Sequence, residues 1–169
     1  VNKMPMFDLE YVFLNIRAKS VGEVAKVQVL SPDDLKTYVE VDIPLDEISV
    51  KFQKGHTNLI KLNDEITIEM AYPTFEMLES FDSEDTKAIF DLIGKCVERI
   101  IDGEIIHERA DFNKKELIEF LDSLNTKQFA DMQKFFETMP KLSYDVEFTN
   151  PKTKKKHRKT LEGLNSFFA

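Results

Sequence analysis

The sequence of 169 residues contains one cysteine, no tryptophan and only five glycines. A single cysteine, Cys96, cannot form an internal disulfide, which favours a reducing cytoplasm. The three histidines, at positions 56, 107 and 157, are too scattered for a zinc site. The glycines are not grouped, so no glycine-rich phosphate-binding loop is present. We therefore predict no metal-binding residue and no cofactor.

Long apolar runs are also missing. None approaches the roughly 20 residues that span a bilayer, and the first residues carry no signal-peptide pattern. Hydrophobic residues make up 42% of the chain and charged residues 32%, the composition of a globular protein. With 31 acidic and 23 basic residues the formal charge is -8, which argues against non-specific nucleic-acid binding by the whole surface. We expect no membrane span.

The first part of the chain changes from helical to strand periodicity. Leu9, Val12, Phe13 and Ile16 stand at helical spacing and predict a helix over residues 5–19. Period-two alternation then predicts a hairpin of strands 24–29 and 37–43 joined by a proline turn, followed by strands over 48–52 and 60–72. We assign residues 1–22 to an N-terminal helix and residues 23–73 to an antiparallel β module.

After Pro73 the apolar spacing is helical again. The pattern predicts a short helix over 74–81 and a longer one that starts at residue 82 or 83 and runs to 101. Two more are predicted: residues 114–124, started by Asn113, and 126–139, ended by Pro140. Residues 74–140 thus form a predicted helical bundle. Strands over 144–149 and 156–161 place a C-terminal β-hairpin and aromatic tail in residues 141–169. The predicted fold class is α+β.

Nothing in the sequence assembles a nucleophile, a base and an oxyanion donor, so we predict no catalytic residue. Each histidine is interpreted as a surface or partly packed side chain. Cys96 falls on the apolar side of its predicted helix and is interpreted as a core residue. The carboxylates are numerous enough for chance pairs, so a hydrolase with a carboxylate pair is the weakest hypothesis. Carboxylates that could form such a pair are Glu65, Glu69, Glu76 and Glu79.

The second hairpin carries the strongest charge anomaly. Six of the 23 basic residues fall between positions 152 and 159, which leaves 17 against 31 acidic residues elsewhere. Such a run can contact an acidic protein, another copy of the chain or nucleic acid, or it can be a solvated turn. It contains no aromatic residue, which disfavours single-stranded nucleic acid. The candidate partner-binding residues here are Lys152, Lys154, Lys155, Lys156, Arg158 and Lys159.

The chain closes on a second anomaly, two adjacent phenylalanines. Burying one phenylalanine is worth about 1.5–3 kcal/mol, so two can anchor a terminal segment. The tail either folds back on its own domain or docks in a partner. Leu164, Phe167 and Phe168 are therefore added to the candidate partner-binding residues.

Several segments resemble the baseplate hub assembly proteins of T-even type contractile-tailed phages. The matching segments are YVFLNIRAKSVGE at 11–23, ISV at 48–50, IKL at 60–62, MAYP at 70–73 and LEGLNSFF at 161–168. The resemblance covers the chain nearly end to end. Relatives carry a longer N-terminal segment, and the sequence starts at Val1 without methionine, so we expect residues before Val1.

The resemblance implies a non-enzymatic role in building the baseplate hub, as a minor hub component or an assembly chaperone. The implied partners are other baseplate hub proteins, and self-association is a further possibility. The implied location is the host cytoplasm during assembly, and the virion baseplate if the protein is retained. The alternative hypothesis is a nucleic-acid-associated module that uses the run from Lys152 to Lys159 on phosphates.

The resemblance also bears on the two hairpin turns. Some relatives place cysteine pairs at these tips, where a zinc ion would hold each turn. Here the positions read LSPD at 30–33 and TNPK at 149–152, with no cysteine. The resemblance therefore implies that proline and hydrogen bonds hold the turns, and no metal function is carried over.

Overall fold

A computed structural model describes residues 3–79, 81 and 86–168. Over these residues it contains six helices and nine strands, and the strands form three antiparallel sheets, so the predicted α+β class is confirmed. The elements in chain order are α1 (Met6–Val21), β1 (Val24–Leu30), β2 (Tyr38–Pro44), β3 (Ser49–Lys51), β4 (Leu59–Lys61), β5 (Ile66–Met70), α2 (Phe75–Leu78), α3 (Thr86–Cys96), β6 (Val97–Asp102), β7 (Ile105–Glu108), α4 (Lys114–Asp122), α5 (Thr126–Thr138), β8 (Lys141–Thr149), β9 (Lys156–Glu162) and α6 (Asn165–Phe168).

The described residues form two compact units, and each combines distant parts of the sequence. The hairpin unit consists of residues 7–51 and 140–168, and the helical unit consists of residues 3–6 and 52–139. The four consecutive segments expected from the sequence are thus not the two units of the structure. The reason is that strand β3 pairs with the C-terminal strand β8 and not with β4. The expected β module of residues 23–73 is divided between the two units.

The hairpin unit is built from two sheets, β1-β2 and β3-β8-β9. Val27 and Val29 of β1 face the core together with Val41 and Ile43 of β2, as the alternation predicts. The same core cluster contains Leu14 of α1, and residues of β8 and β9 complete it. The C-terminal hairpin pairs from Ser143–Glu162 to Thr149–Lys156, which confirms the two predicted strands.

The helical unit packs helices on the four-stranded sheet β4-β5-β6-β7. The predicted helix to residue 101 is wrong beyond Cys96, where β6 begins. Val97, Ile100 and Ile101 are β-branched, and their strand pairs with β5 on one side and β7 on the other. Gly103, at a φ of 58°, allows the tight turn into β7. The predicted start of this helix, at residue 82 or 83, lies outside the described residues.

The next two helices begin where the sequence predicts. The side chains of Asn113 and Asn125 each accept a hydrogen bond from a backbone N–H of the following turn. The side chains of Glu116 and Gln128 in turn accept from the backbone N–H of Asn113 and Asn125, which completes two capping boxes. α5 ends at Thr138, just before Pro140, which cannot continue a helix. Across the described part of the chain, no helix combines the length and apolar character required to cross a membrane.

Candidate partner-binding site

Two turns in the hairpin unit share one backbone pattern over their first five residues. We call residues 31–37 the first turn and residues 150–155 the second turn, which is one residue shorter. Each opens with a buried polar residue, Ser31 or Asn150, that is followed by proline. In each, the fifth residue has a positive φ, 52° at Leu35 and 63° at Lys154. Its N–H donates to the carbonyl of the opening residue, at 3.1 Å and 2.9 Å respectively. The two proline turns therefore follow the same backbone path from the opening residue to the fifth.

The opening residues of the two turns touch each other. The Asn150 side-chain amide donates to Ser31 Oγ at 3.1 Å, to Asp33 Oδ1 at 2.9 Å and to Asp34 Oδ2 at 3.2 Å. Its carbonyl oxygen accepts the backbone N–H of Lys152 at 2.9 Å. We call this cluster the turn contact. Hydrogen bonds join the tips, in agreement with what the cysteine-free turns implied.

The two carboxylates in the turn contact are held ionised. Hydrogen bonds from the hydroxyls of Thr153 and Ser31 hold the pKa of Asp33 well below its usual range. The hydroxyl and backbone N–H of Thr37 do the same for the pKa of Asp34. His157 Nε2 lies 3.1 Å from Asp33 Oδ1, but without hydrogen-bond geometry, so it adds a charge contact only when protonated. The first turn thus supplies negative charge that fixes the second.

The second turn directs its own charge to solvent. All six basic side chains of the predicted run are exposed. Arg158 forms an ion pair with Asp145 at 3.0 Å, and Asp145 forms a second ion pair with Lys51 at 3.0 Å. Lys152, Lys154 and Lys155 belong to the turn itself, so the turn contact holds the backbone that carries their side chains. The structure therefore places Lys152, Lys154, Lys155 and Lys156 at the hairpin tip, on a scaffold with a buried polar anchor, whereas Arg158 and Lys159 lie further along β9.

The tail candidates are placed differently. Phe167 is 1% exposed and is part of the hairpin unit's core. The Phe168 ring lies 4.4 Å from the guanidinium carbon of Arg17, and the Leu164 N–H donates to Glu10 Oε1 at 3.4 Å. The tail is folded back, so Phe167 is inaccessible to a partner in this structure. Burial of its apolar ring against the sheets is the physical reason.

One exposed surface was not identified from the sequence. Phe7 and Leu14 are the buried residues of α1. On the opposite side of this helix, Val12, Phe13 and Ile16 are 44%, 49% and 59% exposed. Together with the half-buried Leu9 we call these residues the outer stripe. Apolar residues on both sides of one helix, more than a single buried face needs, were the signal in the sequence.

His56 is a partly buried side chain that is hydrogen-bonded at both ring nitrogens. His56 Nδ1 lies 2.9 Å from Thr138 Oγ1, and its Nε2 lies 2.9 Å from the Tyr72 hydroxyl. Because the Thr138 hydroxyl donates to the carbonyl of Lys134, it can only accept from His56. Nδ1 therefore carries the proton and Nε2 accepts from Tyr72. Burial lowers the pKa of His56, which favours this neutral form.

Cys96 is fully buried, and burial raises the pKa of its thiol to about 12, so it is not a reactive nucleophile. Glu69 forms an ion pair with Arg99 at 3.1 Å. His107 is exposed on β7. Within the ranges that the structure describes, no three His, Cys, Asp or Glu side chains are grouped to hold a metal ion.

A comparison with protein families decides the identity. A family model described as T4 bacteriophage base plate protein matches residues 1–169. The chain belongs to this family. Searches of curated proteins and of solved structures give no significant match. The family confirms the resemblance that the sequence suggested and makes this chain a phage baseplate protein, whose partners are other baseplate proteins.

Proposed function

We propose that this baseplate protein acts in assembly of the baseplate hub, as a minor hub component or an assembly chaperone, in the host cytoplasm. It works by holding other subunits through surface contacts and performs no chemical turnover. The observation that carries this proposal is the second turn, whose lysines are concentrated on a chain of net charge -8 and supported by a buried polar anchor.

The contact that the second turn offers is electrostatic. Exposed lysines attract an acidic surface over a distance of about 8–10 Å at physiological salt and so raise the rate of encounter. Each exposed charge adds little affinity once docked, typically about 0.2–1 kcal/mol. A subunit held mainly by such contacts can be displaced by a later subunit with a larger interface. This behaviour suits a protein that occupies a surface only during assembly.

The anchor makes the surface specific. Asn150 is fully buried and donates to both carboxylates of the first turn, so the second turn does not sample many conformations before binding. A preformed surface loses less conformational entropy on docking than a flexible loop does. We therefore expect the partner to carry a matching acidic surface of defined shape.

The test is capture of the tagged protein from phage-infected lysate at about 0.15 M salt, with and without nuclease, followed by identification of the co-eluting proteins. We expect hub proteins that survive nuclease. Replacing Lys152, Lys154 and Lys155 with glutamine should lower their recovery about tenfold, because three rim charges together contribute on the order of 1.5 kcal/mol.

The matched control replaces three exposed lysines of the helical unit, Lys54, Lys127 and Lys134, with glutamine. It changes the net charge by the same amount and should leave hub recovery unchanged. Equal losses in both variants would contradict a role for the second turn. Recovery of nucleic acid alone, or of partners lost after nuclease treatment, would favour the nucleic-acid hypothesis instead.

A further inference from the structure

The outer stripe of α1 is a second surface that the proposed function does not use. Helical residues advance by about 100° each, so Leu9, Val12 and Ile16 lie opposite the buried Phe7 and Leu14. Phe13 lies beside them. A folded protein gains nothing from presenting three large apolar side chains to water beside the half-buried Leu9, and contiguous apolar surface of this kind marks an interaction site.

Charges at the ends of the helix indicate what covers the stripe. Asp8 near the N-terminus and Lys19 near the C-terminus are both exposed and lie on the same flank of the stripe, eleven residues apart. Two such helices in antiparallel orientation, related by a twofold axis, place the same flanks side by side with their directions reversed. Asp8 of each copy then faces Lys19 of the other, whereas parallel pairing opposes Asp8 to Asp8.

The opposite flank of α1 packs within its own unit and takes no part in this pairing, because Glu10 accepts from the Leu164 N–H and the Arg17 guanidinium lies over the Phe168 ring. The Asp8–Lys19 pair is centred between Phe13 and Leu14. The outer stripe is centred within about one residue of this point, a shift of about 1.5 Å along the helix. Apolar surface and charge therefore fit one twofold axis.

We propose that the protein forms a homodimer by antiparallel pairing of α1 through the outer stripe. This inference does not depend on the hub role, and a monomeric protein could still bind hub subunits through the second turn. A single helix pair is smaller than the interface of a permanent dimer, so we expect micromolar dissociation constants.

The first test is the mass of the purified chain by sedimentation equilibrium, over about 1 to 500 μM. We expect an increase from 19.7 kDa towards twice that mass. Ile16→Glu should abolish it, because the substitution places a charge in the middle of the stripe. Val21→Glu is the matched control, since Val21 is 74% exposed on the same helix but outside the stripe. A monomer at all concentrations, or a dimer that persists in Ile16→Glu, would overturn the proposal.

Charge reversal tests the orientation. Asp8→Lys alone and Lys19→Asp alone should each weaken the dimer about tenfold, because two exposed ion pairs become like-charge contacts. The combined variant should restore the wild-type dissociation constant to within about threefold. Far-UV circular dichroism checks that the helix content is unchanged. A combined variant that folds but stays as weak as the single variants would contradict antiparallel pairing.

Cross-linking provides a measurement that keeps every charge in place. With a short bis-maleimide, Phe13→Cys should cross-link to itself, because position 13 lies next to the twofold axis. Leu9→Cys and Ile16→Cys should cross-link only when the two proteins are mixed. The natural Cys96 is fully buried and provides the background reaction. Self-cross-linking of Leu9→Cys would indicate parallel pairing and overturn the proposal.

Discussion

The first and second turns share a backbone pattern over five residues, but they carry opposite charge. Both place proline second and a residue of positive φ fifth. The first turn carries Asp33 and Asp34, and the second carries Lys152, Lys154 and Lys155. In the first turn the charges point to the buried contact, where they accept hydrogen bonds from Asn150. In the second turn the charges are exposed.

This difference separates stability from binding. A shared backbone pattern leaves the side chains free to differ. Here the acidic turn stabilises the scaffold, and the basic turn is the proposed partner-binding surface. Substitutions in the buried contact should therefore reduce stability. Substitutions of the lysines should reduce binding and leave stability unchanged.

The largest effect is expected from Asn150→Ala. It removes a buried amide that donates to two carboxylates, and hydrogen bonds to charged groups are worth about 1.5–3 kcal/mol each, so we expect a loss of about 3 kcal/mol or more in the free energy of unfolding. Ser31→Ala removes one hydroxyl, which accepts from Asn150 and donates to the Asp33 carboxylate, and should cost about 2 kcal/mol. Urea denaturation followed by circular dichroism measures both.

Asn15→Ala is the control, because Asn15 is an exposed asparagine of α1 and alanine favours helix. It should be neutral or slightly stabilising. Hydrogen exchange should assign the loss in Asn150→Ala to amides of β8 and β9. A loss smaller than that of Ser31→Ala would show that the turn contact does not anchor the second turn.

The next largest effect on stability is expected from acid, which should destabilise the first turn. The pKa values of Asp33 and Asp34 lie below the ordinary 3.8 in the folded state, so the unfolded state binds more protons. Their stabilising contribution is therefore complete above about pH 5 and is lost as the pH falls through 3.8 towards the folded-state values. Urea midpoints between pH 2 and 7 measure this loss.

Asp33→Asn removes one of the two shifted carboxylates of the first turn and should make the dependence of stability on pH shallower below pH 5. The reason is that asparagine does not titrate while the remaining carboxylate still does. An unchanged slope in Asp33→Asn would mean that acid sensitivity arises elsewhere in the protein.

A small gain in stability should come from placing glycine at the positive-φ position of each turn. The left-handed conformation costs a non-glycine residue about 1 kcal/mol, and glycine gives part of this back through its larger unfolded-state entropy. Leu35→Gly and Lys154→Gly should each stabilise by about 0.5 kcal/mol, measured as a shift in thermal midpoint. Lys155→Gly, whose φ is not positive, should destabilise. Thermal midpoints that rise in one of these two glycine variants and fall in the other would show that the two turns are not equivalent.

The smallest effect on stability belongs to the lysines. Replacing Lys152, Lys154 and Lys155 with glutamine should change the free energy of unfolding by less than about 0.5 kcal/mol, because exposed side chains away from packed features contribute little. The same urea experiment checks this. A loss as large as that of Asn150→Ala would show that these lysines support the fold as well as a partner.

Local patterns predicted much of this fold, and distant contacts set the rest. Alternation placed Val27 and Val41 on the buried face, and the asparagine caps placed the starts of α4 and α5. The end of α3 at Cys96 was missed, because the pairing of β6 with β5 overrides helical spacing.

The same division applies to the candidate site. The basic run was visible because its lysines lie close together in the sequence, and the proline in each of the two turns was visible as well. Their contact was not, since Ser31 and Asn150 are 119 positions apart. The sequence also left open whether Phe167 folds back, because an apolar tail fits both outcomes.

The most direct test of the hub role is complementation. Cells that supply the wild-type chain, the second-turn glutamine variant or the helical-unit control variant are infected with a phage that lacks this protein, and completed baseplates are counted by electron microscopy. We predict that the wild-type chain and the control restore baseplates, while the second-turn variant accumulates incomplete hubs. Normal baseplates with the second-turn variant, expressed at the same level, would contradict assembly through this surface.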